Sequence, residues 1–154
     1  MKRTFQATGI LMLLAVCGCS GVRSEQRIDM RISSEYLGRI DASQWVLQEM
    51  TVDGRAVELT GRPPTIAFEA DGRVFGFASV NRYFGSVQIT DRGELSWSDG
   101  FGATKMGGPP EAMKQESDFL NALPNTQRIT LDNNTLIAAS NDHTTQLIFT
   151  AAQP

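Results

Sequence analysis

The stretch "GFASVNRYFGS" at residues 76–86 decides how the chain is read. Val74, Gly76, Ala78 and Val80 alternate on one side of a strand, and Phe75 and Phe77 occupy the other. Asn81 then ends the run. Asparagine tolerates positive φ and hydrogen-bonds nearby backbone, so it can turn a chain sharply. Arg82 is expected to project outward, Tyr83 and Phe84 to pack back, and Gly85 to let the next strand start close by. The stretch reads as a corner between two strands. A second reading makes Asn81, Arg82 and Tyr83 a contact site at the rim of a barrel. Gly, Asn and aromatic residues at a turn already have a sufficient structural reason, which favours the corner.

The same plan repeats on both sides. In "PTIAFEADGRVFGFASV", residues 64–80, Ile66 and Phe68 alternate, Asp71-Gly72 tolerates positive φ, and Val74 begins a return strand. "FGSVQITDRGELSWS", residues 84–98, turns around residues 91–93. "QRITLDNNTLIAA" turns at Asn133-Asn134 and "SNDHTTQLIFT" at Asn141-Asp142. Upstream, "QWVLQEMTVDGRAVEL" places Trp45 and Leu47 on one face and reaches Asp53-Gly54. Strands every ten or so residues, with turn residues between them, favour a meander closing toward a barrel.

One helix interrupts the pattern. Pro109 and Pro110 suit a first turn, "EAMKQESDFLNAL" follows, and Pro124 stops it. Ala112, Met113, Phe119, Leu120 and Leu123 share one helical face, and Glu116 lies in the middle of it. A carboxylate there needs a partner. It is either an acid tuned for catalysis or a structural group. As a structural group it would pair with Lys105 or accept N–H groups from the "GFASVN" corner. No catalytic partner lies nearby in sequence, which favours a structural Glu116. The expected fold is therefore mainly β (α+β): an antiparallel meander forming a small β-barrel, closed or cracked, with one α-helix packed on it.

The N-terminus reads as a targeting segment. Lys2 and Arg3 precede the apolar run "GILMLLAV" at residues 9–16, which is too short to span a bilayer. It ends in Val16-Cys17-Gly18-Cys19, the aliphatic-x-small-Cys frame of a bacterial lipoprotein signal. Residues 1–18 are expected to be the signal peptide, Cys19 the lipid acceptor, residues 19–43 a tether and residues 44–152 the domain. Within the tether, "RIDMRIS" alternates like a short strand. Ser20 after the acceptor, in place of an Asp that would signal inner-membrane retention, implies an outer-membrane lipoprotein facing the periplasm. Once cleaved and lipidated, the chain has no free cysteine and no disulfide. Loss of Lys2 and Arg3 takes the basic count from 14 to 12 against 17 acidic residues, a charge of about −5. That argues against nucleic acid and against a basic membrane-binding face, leaving the lipid on Cys19 as the expected membrane contact.

The ordered set resembles the META domain family, the fold of the heat-shock protein HslJ and its lipoprotein relatives. The resemblance rests on "DGRVFGFASVNRYFGS" at 71–86, "ATKMGGPP" at 103–110, the helix at 111–123, the opening Trp45-x-Leu47 and the closing "QLIFT". The family usually carries a cysteine before its Asn-Arg-aromatic step and another before its helix, and these are thought to pair. Val80 and Gly108 stand in their places. The resemblance implies a non-enzymatic envelope protein acting by contact in stress tolerance or maintenance. An alternative is a binding module holding a lipid-like or other apolar ligand, or a pilotin-like secretion accessory, and a third is an inhibitor of an envelope-attacking hydrolase. Inward-facing Trp45, Phe68, Phe77, Phe84 and Trp97 would favour a filled core over a ligand cavity.

No enzyme is expected. The only histidine, His143, falls at a predicted turn tip. With one histidine and no mature free thiol, neither a His-rich nor a thiolate metal site can form, and no cofactor is expected. No nucleophile elbow, zinc-protease or P-loop motif occurs.

Overall fold

The computed structural model describes Ile40, residues 44–98 and residues 100–152. The expected signal segment, Cys17, Cys19 and the alternating run at residues 27–33 lie outside them. Ten strands and one α-helix make up the described chain. The strands are β1 (Trp45–Val52), β2 (Arg55–Val57), β3 (Thr65–Phe68), β4 (Arg73–Phe77), β5 (Arg82–Ile89), β6 (Leu95–Trp97) and β7 (Gly102–Ala103), then β8 (Arg128–Asp132), β9 (Thr135–Ala139) and β10 (Gln146–Ala151). The helix, α1 (Pro110–Ala122), runs into a 3₁₀ turn at Leu123–Asn125 that contains Pro124.

All pairing is antiparallel. The main path is β6-β5-β4-β3-β1-β10-β9-β8, with β2 beside β1 and β7 beside β5. First and last strands therefore pair with each other, and the meander breaks in the middle of the chain. The break falls between β6 and β8, where the intervening chain adds β7 beside β5 and then forms the helix. At that point β6 and β8 meet through one bridge, Glu94 with Arg128, flanked by Leu95 N–H to Gln127 O (2.8 Å) and Ile129 N–H to Gly93 O (2.6 Å). The barrel is nearly closed, with one unsealed seam.

Inward residues fill it. Trp45, Leu47, Met50, Ile66, Phe68, Val74, Tyr83, Leu136, Leu147 and Phe149 are buried. In β1 the spacing from Leu47 to Met50 breaks strict alternation, and a bulge between Leu47 and Glu49 restores the inward face. Phe119 of α1 enters this core edge-on to both Tyr83 and Phe149, with ring centroids 5.6 Å and 6.5 Å apart. Ile40, expected in the tether, belongs to the core: it is fully buried, and its carbonyl accepts the Trp45 indole N–H at 3.1 Å. The domain thus begins before residue 44.

Two aromatic residues expected inside lie outside. Phe84 is 64% exposed and Phe77 is half-buried on the outer face. The register explains this: Phe84 stands opposite Phe75, and Phe77 opposite Arg82, on the face away from Tyr83. Tyr83 alone packs back. Its ring crosses Gly76, and its hydroxyl donates to Thr65 O at 2.9 Å. A Cβ at Gly76 would collide with that same carbonyl, so the absence of a side chain lets β3 and β4 approach.

Candidate functional site

The corner at residues 78–81 is tight. Ala78 N–H donates to Asn81 O at 2.7 Å, and the positive φ falls on Ser79 (121°), not on Asn81. Asn81 contributes differently from the sequence expectation. Its side chain ignores local backbone and ties the corner to the loop ahead of α1. Its Oδ1 accepts from Met106 N–H (2.7 Å) and Thr104 Oγ1 (2.8 Å), and its Nδ2 donates to Met106 O (3.1 Å) and Glu116 Oε1 (2.8 Å). Glu116, 7% exposed, accepts at Oε2 from Val80 N–H (3.0 Å) and Asn81 N–H (2.6 Å). Corner N–H groups are thus the partners of the helix carboxylate. Lys105 is not: it is exposed and makes no ion pair with Glu116. It precedes Met106, whose backbone bonds Asn81, so its side chain can point to solvent while the backbone does the tying.

Gln115 was not picked out by sequence. It is 2% exposed; its Oε1 accepts from Thr60 N–H (2.8 Å) and Gly61 N–H (3.2 Å), while its Nε2 donates to Arg62 O and Ser79 Oγ, both at 3.0 Å. The available signal was the pair Gln115-Glu116, two polar residues side by side on the face of a helix that meets a sheet. Together they clamp two loops to α1. Among the described residues no buried side-chain polar atom lacks a partner, so this network is fully used in holding the fold.

The rim reading of Asn81, Arg82 and Tyr83 needs correction. Asn81 and Tyr83 are 2% and 1% exposed, and only Arg82 reaches solvent. Burial without charge pushes the Tyr83 phenol well up from its ordinary value. What Arg82 joins lies on the outer face of the sheet. A hollow of about 160 Å³ is lined by Gln44, Arg62, Thr65, Phe75, Gly76, Phe77 and Arg82. The Arg62 guanidinium carbon sits 4.3 Å from the Phe77 ring centroid, a cation–π contact. Phe75 is 43% exposed beside it. A wider groove of about 500 Å³ runs between β2 and α1, but its charges are mixed, with Lys114 engaged by Asp118 at 2.6 Å.

Among the described residues no group of three His, Cys, Asp or Glu could hold a metal ion, and no helix is long and apolar enough to cross a membrane. His143 is exposed at a turn with φ 59°.

Solved structures share this architecture. An NMR structure of a protein from Burkholderia xenovorans is 24% identical, covers 79% of this chain and 89% of its own, and superposes with a TM-score of 0.62. A second NMR structure is 23% identical over 74% of this chain and 92% of its own, at 0.54. A DUF4847 family protein from Bacteroides vulgatus, 15% identical over 77% and 99%, reaches 0.56. At these identities the likeness is one of fold. No curated protein matches the chain. The META domain profile matches residues 38–154, which takes in Ile40 as the packing does, and by that match the chain belongs to the META domain family.

Proposed function

We propose that this protein is a lipid-anchored envelope protein, held in the outer membrane through Cys19, that works by contact and not by catalysis. The observation that carries the contact part is the division between inside and outside. The interior is packed, and the one buried carboxylate of the clamp is occupied by three N–H donors from the corner. The outer face of β4 and β5, by contrast, leaves Phe75 and Phe84 in solvent. Large apolar side chains left together at a surface mark contact sites. A packed interior also leaves little room for an apolar ligand inside the barrel, which favours contact over the binding-module reading. The role of that contact, on the family resemblance, is envelope maintenance or stress tolerance.

The anchor is tested by metabolic labelling with a clickable palmitate. Cys19→Ser should abolish labelling and Cys17→Ser should not; normal acylation of the Cys19 variant overturns the anchor. The contact is tested by a photo-crosslinking residue at position 84, with position 130 on β8 as control, in intact envelopes. Adducts confined to position 84 support the reading. Equal adducts at both positions, or none at 84, overturn it.

A further inference from the structure

Net charge hides how this domain distributes its cations. Arg82 of β5 stands opposite Phe77 of β4, and Arg62 lies over the same ring from the neighbouring loop. Both arginines therefore line one small hollow, walled in part by Phe75 and Phe77. Neither makes an ion pair among the described residues. The carboxylates of Glu69 and Asp71 are taken by Arg73, at 2.6 Å and 2.7 Å. Phe75, which lines the hollow, faces Phe84 across the strands, and the backbone of Arg82 bonds Thr104, two residues before the 61%-exposed Met106.

Two free guanidinium groups around a hollow suit phosphate oxygens, which Arg binds in forked pairs. Exposed phenyl rings beside them suit the apolar boundary just below a lipid headgroup. Gln44 also lines the hollow, and the twenty residues between Cys19 and Ile40 can span at most about 70 Å, so an anchored domain can reach the bilayer. We propose that the Arg62–Phe77–Arg82 hollow and its flanking Phe75 and Phe84 dock the domain on the anionic surface of the bilayer, with lipid phosphates at the arginines. The proposal rests on the lipid-anchor reading, because the anchor supplies the local concentration that makes so small a surface sufficient. The acidic remainder of the domain is repelled by the same surface, which orients it.

The test uses the mature chain, residues 20–154, held on vesicles by an N-terminal hexahistidine tag and a nickel-chelating lipid. The tag replaces the acyl anchor, so failure of Cys19 acylation and failure of docking are told apart. Residues 20–154 contain no cysteine except those added, so a bimane label can be placed at Met106→Cys or, as control, at Thr130→Cys on β8. Spin-labelled lipid should quench the label at 106 and not at 130, strongly on phosphatidylcholine–phosphatidylglycerol vesicles and weakly on phosphatidylcholine alone. Arg62→Gln with Arg82→Gln should weaken docking roughly thirtyfold, the attraction of two surface cations. Phe84→Ser should weaken it as well, and glycerol phosphate at millimolar concentration should not displace the domain. Equal quenching at both positions, or quenching unaffected by lipid charge and by the arginine variants, overturns the proposal. So does displacement by glycerol phosphate, which would mark a free-phosphate site, and so does shielding at 106 that needs no lipid and is lost on dilution, which would mark a second copy.

Discussion

Replacing Val80 and Gly108 together by cysteine should create a disulfide where the family resemblance places one. A Cβ built on Gly108 lies 3.5 Å from the Val80 Cβ, and 2.7 Å and 3.0 Å from its two γ-methyl groups. The first distance falls in the disulfide range of about 3.5–4.5 Å. The other two show that the valine methyls occupy the space a side chain at 108 would need. Gly108→Cys alone should therefore destabilise the domain, by about 1–3 kcal/mol of overpacking. The double variant removes the methyls and closes a loop of about 28 residues, for which chain entropy gives about 3–4 kcal/mol. Loss of the half-buried valine packing returns about 1 kcal/mol of that. The net is a melting temperature raised on the order of 10 °C for a domain of this size. Thermal unfolding followed by circular dichroism, with and without reductant, reads the shift, and thiol titration reads the bond. The two substitutions should be strongly non-additive in the oxidised state. A double variant that keeps two free thiols under air, or oxidises with no gain in melting temperature, would refute both the placement and the family alignment behind it.

Glu116→Ala strands three buried donors of the corner and should cost about 3–5 kcal/mol in urea unfolding. Glu116→Gln should cost less, since one carbonyl oxygen can still accept from Val80 and Asn81, but its amide would face the Asn81 amide donor-to-donor; equal losses for the two variants would contradict the N–H clamp. Gly76→Ala meets the Thr65 carbonyl and should cost about 3 kcal/mol or prevent folding, and a variant of native stability would show that β3 and β4 can separate freely. Asp142 is held at about 2, below its ordinary 3.8, chiefly by the Ser140 hydroxyl and then by the Thr144 N–H and hydroxyl. Folding therefore favours its charged form: that stability is complete above pH 3.8 and is lost as the pH falls through about 2. Asp142→Asn should accordingly lose less stability than the native chain between pH 6 and pH 2.5, and identical acid sensitivity would count against this assignment.

Much of the barrel was legible because strand alternation and turn chemistry are local. Asp53-Gly54, Asp71-Gly72 and Asn133-Asn134 carry positive φ at Asp53, Gly54, Gly72 and Asn133, as residue type alone suggests. Glu116 stood out because a carboxylate in an apolar helical face demands a partner. Which partner it takes was not legible, since Asn81 and Val80 are more than thirty residues away and reach it only once β5 and α1 have packed. Phe84 was misplaced for a related reason. A one-residue choice of register sends it outward and Tyr83 inward, and that choice is settled by the Gly76 gap and the Thr65 carbonyl across the strand.

By itself the sequence determined the strand-and-helix order, the inward face of most strands, the family and the demand for a partner at Glu116, because each depends on neighbours a few residues apart or on motifs read in order. Only the tertiary structure decided where the barrel stays open, which loops Gln115 and Glu116 hold, and that Arg62 and Arg82 flank one ring. Composition counts charges but cannot place them, and cross-strand register, not proximity in the chain, brings those two arginines to Phe77.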